Sequence, residues 1–241
     1  GNYGPGDWSG SHNDLAAGVD LYHTDHSRAG ISVMHTNSSL DRTENLGEVS
    51  MKKKFTRVSL YGRHDFAGGL YAAGDVFAGG IRIKDTSLVD MSTRTAGVHA
   101  EVCVDVPAGR GTITPLVRAA YAGIRGFTTK DGEGFPFTMK ESHYSSFSAG
   151  LKASLPLSPV SLLTAYAGWG IRTGYDIDGT MSDAWNTMDI SESGKEHVKT
   201  LGIGYRCDVT PFARLSLSAA REFSSGLHDD WNFQVSAAYK F

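Results

Sequence analysis

The sequence has little of what marks soluble enzymes or helical membrane proteins. Its 241 residues include two cysteines, Cys103 and Cys207, and neither lies in a CxxC or Cys/His spacing that would suggest zinc. No run approaches the roughly 18 apolar residues of a membrane helix. The net charge of −3 gives no electrostatic support for a nucleic-acid partner. No basic region followed by an apolar core opens the chain, so a signal peptide was either removed or lies far upstream.

Motifs for catalysis are also missing. There is no Gly-x-Ser-x-Gly, phosphate loop or dinucleotide fingerprint. His23 and His26 have the spacing of paired metal ligands, but no carboxylate or thiol cluster accompanies them. His228, Asp229 and Asp230 resemble the acidic rim of outer-membrane proteases, but no second outer-loop cluster pairs with them and acid-rich loops are ordinary. We therefore predict no enzymatic activity, no cofactor and no metal site.

Strict alternation of apolar and polar residues is the strongest positive signal. From Trp231 to Phe241 the odd positions are apolar and the even positions are polar or small, with aromatic residues at both ends of the apolar series. A membrane-spanning strand needs about 9–11 residues and aromatic girdles at both interfaces. The segment predicts a strand with one face in hydrocarbon and one in water, although a strand of a soluble sandwich could look similar.

Eleven segments have alternating or β-rich character, and no window favours a long amphipathic helix. They are 12–23, 29–37, 48–66, 69–84, 94–106, 112–125, 144–155, 160–175, 197–209, 213–223 and 231–241. Short connections alternate with longer polar ones, which are 38–47, 85–93, 126–143, 176–196 and 224–230. Short periplasmic turns and longer outer loops are typical of outer-membrane barrels, whose strand number is even in bacteria. We therefore predict a twelfth strand upstream, with 1–11 as its remnant and a loop; alternatively, 1–11 form a short first strand.

Several short motifs occur in a characteristic order along nearly all 241 residues. They are Leu15–Leu21, Ala29–His35, Val58–Gly62, Gly69–Asp75, Ala96–Glu101, Thr114–Tyr121 with Gly126–Phe127, and the aromatic carboxy terminus. Together they resemble the translocator domain of classical autotransporters, the type V secretion barrel of Gram-negative bacteria. The family's first strand and the helix threaded through its pore are not visible in this sequence.

The resemblance implies a fold, a location and a role. The fold is all-β: one domain, 1–241, forming a closed antiparallel up-and-down transmembrane barrel of about 12 strands in the outer membrane. Its role would be to anchor an upstream passenger domain and export it to the cell surface. The barrel assembly machinery would help, reading an assembly signal in the last strand that consists of Phe233, Val235, Tyr239 and Phe241.

The alternation also divides charged residues between the two faces. The residues predicted to line the pore are Asp14, Asp20, Asp75, His99, Glu101, Asp105, Arg118, Lys152, Arg206, Asp208, Glu222 and Lys240. A wall of mixed sign fits a wet pore that passes a polypeptide, and equally a plugged, salt-bridged core. Cys103 is expected to face the lumen and Cys207 the lipid, on strands that are not neighbours, which predicts no disulfide. Glycines inside strands, such as Gly97 and Gly168, allow curvature or close approach of another chain.

The expected partners are outer-membrane lipid and lipopolysaccharide, the barrel assembly machinery and the protein's own passenger, with no nucleic acid and a monomeric barrel. Lys52, Lys53 and Lys54 lie above the bilayer, where they either contact anionic lipopolysaccharide headgroups or form a solvated strand extension. Two other functions stay open: a passive channel or surface-binding barrel without a passenger and, less favoured, a barrel protease.

Overall fold

Nearly all of the described chain is β-strand. A computed structural model describes residues 8–44, 47–85, 90–130, 136–174, 177–182, 187–192, 194–225 and 229–239. The strands are β1 (Trp8–His23), β2 (Ser27–Glu44), β3 (Gly47–Asp65), β4 (Leu70–Asp85), β5 (Asp90–Val104), β6 (Val106–Ala108), β7 (Gly111–Ile124), β8 (Phe127–Lys130), β9 (Pro136–Met139), β10 (Ser142–Ser158), β11 (Ser161–Thr173), β12 (Ile177–Ser182), β13 (Thr187–Glu192), β14 (Lys195–Asp208), β15 (Ala213–Ser224) and β16 (Asp229–Tyr239). Within these ranges the helical structure is a 3₁₀ turn at Ala67–Gly69, and no helix there is long and apolar enough to cross a membrane.

Eleven strands form the main antiparallel sheet, in the order β1-β2-β3-β4-β5-β7-β10-β11-β14-β15-β16, with β6 pairing alongside β7. Each strand therefore pairs with the next long strand of the chain. The eleven segments picked out by alternation correspond to these strands one by one; for example, 144–155 lies in β10 and 213–223 lies in β15. The prediction of an all-β, antiparallel, up-and-down fold is confirmed.

The main sheet curls into a half-barrel whose two edges are β1 and β16. No pairing joins these two strands within the ranges given above, so closure of the barrel by a twelfth strand stays a prediction. Residues 8–11, predicted to be a loop or the remnant of that strand, instead begin β1 and pair with β2, starting at Trp8 opposite Arg42. Residues 1–7 lie outside the described part of the chain.

The register gives the main sheet two distinct faces. Leu60, Val76 and Val98 lie side by side on three neighbouring strands, and their side chains are 57%, 51% and 43% exposed. Tyr71 and Cys103 point to the opposite face and are 5% and 1% exposed. Because side chains alternate along a strand, these residues define an apolar outer face and a packed inner face for the whole sheet.

Aromatic rings lie across glycines on the inner face. A Cβ atom on Gly97 would lie 2.6 Å from Cζ of Phe77, its direct cross-strand partner. A Cβ atom on Gly168 would lie 2.2 Å from the hydroxyl of Tyr166. Glycine is needed at these positions because any side chain would displace the ring. These glycines therefore allow close approach of another side chain, and not only curvature of the sheet.

The two ends of the main sheet differ in their connections. One end carries short turns such as Phe66–Leu70, where Gly68 and Gly69 adopt φ angles of 74° and 79° that favour glycine. We call it the turn end. The other end, called the loop end, carries two hairpins, β8–β9 and β12–β13, that join into a second sheet of four strands in the order β13-β12-β9-β8.

These hairpins correct the prediction that 126–143 and 176–196 are loops. The connections 38–47 and 85–93 were likewise predicted too long, because β2 continues to Glu44, β3 starts at Gly47 and β5 starts at Asp90. The extensions are short and contain only a few apolar residues, so an apolar alternation does not stand out in them. Backbone pairing between neighbouring strands is enough to continue them beyond the apolar part of the sheet.

Candidate functional site: the inner face

The inner face of the main sheet collects the charged residues of the strands into cross-strand pairs. Glu101 and Arg118 are direct partners on β5 and β7, and Arg118 Nε donates a hydrogen bond of 2.5 Å to Glu101 Oε2. The guanidinium carbon of Arg118 lies 5.4 Å from the ring centroid of Tyr166 on β11. Arg118 thus forms an ion pair with a carboxylate on one side and a cation–π contact with an aromatic ring on the other.

A second group of inner-face side chains forms contacts between β10 and β4, which are separated in the sheet by two strands. Lys152 Nζ donates to the hydroxyl of Tyr71 at 3.4 Å. The guanidinium carbon of Arg63 lies 3.8 Å from the Tyr71 ring centroid, and the Arg63 guanidinium contacts Asp65 at 2.6 Å. Side chains of β4 and β10 can meet only because the sheet curls, since strands lie about 4.8 Å apart.

Other carboxylates of the inner face are hydrogen-bonded as well. Arg172 donates two hydrogen bonds to Glu222 across the intervening β14, with Nη2 2.6 Å from Oε2. The side chain of Thr114 donates to Asp105 at 2.5 Å. His99 Nδ1 lies 3.4 Å from Asp75 Oδ1. Tyr61 donates to Asp20, and Thr36 donates to Asp14. These contacts satisfy the carboxylates of the wall, some with a basic side chain and others with a neutral hydroxyl group.

Three buried polar atoms of the inner face lack a hydrogen-bond partner within the described residues. They are Arg57 Nε, Ser59 Oγ and Asp75 Oδ2. Arg57 and Ser59 belong to β3, and Asp75 belongs to the neighbouring β4. Unpaired buried polar groups are costly, so this stretch of wall has donors and an acceptor available for another chain or for water.

The charged residues predicted to line the pore fall on the inner face wherever the structure describes them. They are Asp14, Asp20, Asp75, His99, Glu101, Asp105, Arg118, Lys152, Arg206, Asp208 and Glu222. Lys240 lies outside the described residues. Other inner-face residues share this parity but were not predicted from the sequence, namely Arg57, Tyr61, Arg63, Tyr71, Tyr166 and Arg172. For Arg57, Tyr61 and Arg63, the parity of Val58 and Leu60 was the available signal.

The residues predicted to form an assembly signal lie at the end of the chain. Phe233 and Val235 are 74% and 72% exposed on the outer face of β16. Tyr239 is in β16 opposite Ala213, and Phe241 lies outside the described residues.

Both cysteines are free. Cys103 is buried on the inner face, whereas Cys207 is opposite Leu215 in the register and belongs to the outer face.

The remaining candidates form no common site. His23 Nδ1 lies 3.9 Å from Asp20 Oδ2 at the turn end, and the described residues contain no group of three or more metal-ligating side chains. Asp229 and Asp230, predicted to be in an outer loop, begin β16, while His228 lies outside the described residues. Lys53, grouped with Lys52 and Lys54 in the sequence, has the opposite parity and belongs to the inner face.

Comparison with known proteins identifies the family. The family model of the autotransporter β-domain matches residues 1–220. The chain belongs to the autotransporter β-domain family. It is an outer-membrane translocator of a Gram-negative bacterium and serves an attached passenger. No curated protein matches the sequence significantly.

Solved structures of autotransporter domains share the fold at low sequence identity. The β-domain of the Bordetella autotransporter BrkA is 16% identical, with a TM-score of 0.71 over 97% of this chain and 92% of its own. The translocator domain of NalP from Neisseria meningitidis is 17% identical, with a TM-score of 0.66 over 97% and 81%. The transport unit of AIDA-I from Escherichia coli is 16% identical, with a TM-score of 0.71 over 97% and 83%.

Proposed function

We propose that the passenger of this autotransporter crosses the outer membrane along the inner face described above. The observation that carries this proposal is the pairing of charges on that face, such as Glu101 with Arg118 and Arg172 with Glu222. A wall whose charges are balanced locally attracts neither acidic nor basic segments strongly, because opposite charges cancel beyond about one Debye length of roughly 8 Å. Such a wall suits a passenger of any composition that must move through without being held.

Neighbouring residues of opposite parity provide a direct test of the path. A photo-crosslinking residue at Ser148, on the inner face of β10, is expected to capture passenger during export. The same residue at Ala149, on the outer face of that strand, is the matched control and should capture none. The experiment uses the full-length protein in cells with a slowly exported passenger. Equal capture from both positions, or none from Ser148, would refute the proposed path.

We further propose that Phe233, Val235, Tyr239 and Phe241 form the assembly signal that the barrel assembly machinery reads. Support comes from the outer-face exposure of Phe233 and Val235 on β16, a strand at the edge of the described sheet, where another protein could pair with the backbone before the barrel closes. Changing Phe241 to Ala should lower the amount of folded protein in the outer membrane, while changing Lys240 to Ala should not. Heat-modifiable migration on a gel measures the folded fraction.

The remaining expectations complete the proposed function. Residues 1–241 act as one monomeric unit that transports without catalysing a reaction. The carboxylates and the histidine of the inner face serve as ion-pair and hydrogen-bond partners, as Asp75 does for His99. A twelfth strand closes the barrel between β1 and β16. Lipid surrounds the apolar outer face, and lipopolysaccharide contacts its loop end.

A further inference from the structure

A set of cations on the outer face lies in three cross-strand rows at the loop end of the main sheet. In the first row Thr56, Gly80 and Arg94 are paired across β3, β4 and β5. The second row contains Lys54, Arg82 and Ser92, and the third contains Lys52, Lys84 and Asp90. We call Lys52, Lys54, Arg82, Lys84 and Arg94 the basic patch. The residues of the basic patch come from three neighbouring strands and are separated in the sequence.

The first row lies at the edge of the apolar band. The outward positions of β5 and β6 below Arg94 are Ala96, Val98, Ala100, Val102, Val104 and Val106. At about 3.3 Å per residue and a tilt of about 40°, this run rises about 25 Å, which is the height of the apolar band of an outer-membrane barrel. Arg94 therefore sits where hydrocarbon gives way to headgroups, and the second and third rows lie about 5 and 10 Å higher.

A depression of about 450 Å³ opens among the cations of the first two rows, with His35, Lys54, Arg82 and Arg94 in its lining. Gly80 is part of its lining, and a Cβ atom there would meet only one atom within 4 Å, the carbonyl oxygen of Thr93 at 4.0 Å. The absence of a side chain at Gly80 thus leaves room for a group to sit between Lys54 and Arg94. Thr56 and Ser92 add hydroxyl groups beside it.

The charge of the basic patch is only partly neutralised. Asp90 contacts Arg82 at 2.7 Å and Lys84 at 3.1 Å. Hydrogen bonds from Arg82, which has the larger effect, and from Lys84 hold the pKa of Asp90 well below its usual range, so its side chain remains a carboxylate. No acidic group within the described residues forms an ion pair with Lys52, Lys54 or Arg94. Five cations and one anion leave a formal charge of 5 − 1 = +4.

We propose that the basic patch is a binding site for the phosphorylated disaccharide headgroup of lipid A, the membrane anchor of lipopolysaccharide. The patch spans about 10 Å across its strands and about 10 Å in height, a size that can engage a headgroup with two phosphates. The apolar run beneath it would contact acyl chains, which a free phosphate ion does not have. The proposal rests on the outer-membrane orientation and names the residues of the lipopolysaccharide contact.

The test compares removal of two cations from the basic patch with removal of two cations from elsewhere in the protein. Full-length protein is extracted in detergent and titrated with purified bisphosphoryl lipid A, with binding followed by native mass spectrometry. The variant K54Q/R94Q removes two cations of the basic patch. The control K53Q/R110Q removes one inner-face cation at the same height and one at the turn end, so its net charge is matched. Gly80→Leu fills the depression without changing the charge.

The expected result is a loss of about 25-fold in affinity for K54Q/R94Q, since each cation near an anionic membrane surface contributes about fivefold. K53Q/R110Q should bind as the wild type does, Gly80→Leu should bind more weakly, and monophosphoryl lipid A should bind the wild type less well than the bisphosphoryl form. Unchanged binding by K54Q/R94Q, or equal loss in the control, would overturn the proposal. Displacement of lipid A by inorganic phosphate at similar concentration would also overturn it, by assigning the site to the free ion.

Two further measurements keep the outcomes separate. Heat-modifiable migration verifies that each variant is folded before titration, and the comparison of the two lipid A forms on the wild type needs no variant. Passenger display on the cell surface is measured in parallel. Normal display with lost lipid A binding supports the site and leaves the translocation path intact. If Ser148 captures no passenger while K54Q/R94Q binds lipid A more weakly than the wild type does, the proposed path is refuted and the lipid A site stands.

Discussion

Val235 offers a direct test of which medium surrounds the outer face. It lies in the middle of β16, with the outward residues Trp231 and Phe233 before it and Ala237 after it, so it should lie near the midplane of the membrane. Its side chain is 72% exposed, so little of this chain covers it. Replacing it with lysine therefore moves a charge into hydrocarbon, and replacing the adjacent Gln234 with lysine moves the same charge to the inner face.

The two substitutions should differ widely in cost. A lysine facing lipid at the midplane costs about 2–4 kcal/mol, whereas a surface substitution in water usually changes stability by less than about 0.5 kcal/mol. A difference of about 3 kcal/mol corresponds to more than a hundredfold in the folding equilibrium. Lysine also favours strands less than valine does, a contribution that spans at most about 1 kcal/mol. Val235→Thr, which keeps the branched shape without a charge, isolates that contribution.

Equilibrium unfolding of the reconstituted protein separates stability from assembly in the cell. Full-length wild type and each variant are folded into phospholipid vesicles and unfolded with urea, and the folded fraction is read from heat-modifiable migration. We expect Val235→Lys to lower the midpoint strongly, with Gln234→Lys and Val235→Thr close to the wild type. If Gln234→Lys is as destabilising as Val235→Lys, the assignment of faces is wrong. If neither has an effect, the outer face of β16 does not contact hydrocarbon.

Three other predictions concern packing, ion pairing and pH. Gly97→Val should destabilise the folded protein by about 1–3 kcal/mol because its side chain would displace an aromatic ring, while Gly62→Val, at a position with open space, should cost less in the same urea titration. Glu101→Gln should weaken the contact with Arg118, costing about 1 kcal/mol, and a wild-type midpoint would argue against that contact. The Asp90 pKa is lowered in the folded state, so its stabilising effect is present above the unfolded value of 3.8 and is lost as pH falls through the lower folded value. The melting difference between wild type and Asp90→Asn should therefore stay constant from about pH 5 to 8 and narrow only in stronger acid.

Alternation predicted the long strands well because it reports a physical contrast between two media. In β10, Leu151 and Ala153 face outward and Lys152 faces inward, as the sequence alone indicates. Where a strand segment is short and has few apolar residues, the contrast is too weak to be recognised. The end of β2 and the hairpin β8–β9 belong to this class, and they were predicted to be loops.

The candidate site was predictable in parity but not in its partners. Direct neighbours such as Glu101 and Arg118 follow from strand order and register. The contact of Lys152 with Tyr71, however, crosses two intervening strands and depends on how tightly the sheet curls. The pairing of Arg172 with Glu222 likewise skips β14. Such contacts require three-dimensional positions that no periodicity in the sequence encodes.

One rule, the two-residue repeat of a strand, underlies the proposed export path, the proposed assembly signal and the proposed lipid A site. It places Lys52 and Lys54 on the outer face and Lys53 on the inner face, and it places Val235 on the outer face and Gln234 on the inner face. A slip of one residue would exchange the faces of a whole strand, so the basic patch would then point into the lumen and the ion pairs of the inner face would point into lipid. The lysine substitutions on β16, near the membrane midplane, and the charge removals on β3 and β5, at the edge of the apolar band, therefore test the same geometry at two heights. Agreement between them would fix the register of strands far apart in the sheet, because an error in either strand reverses the expected order of variant and control.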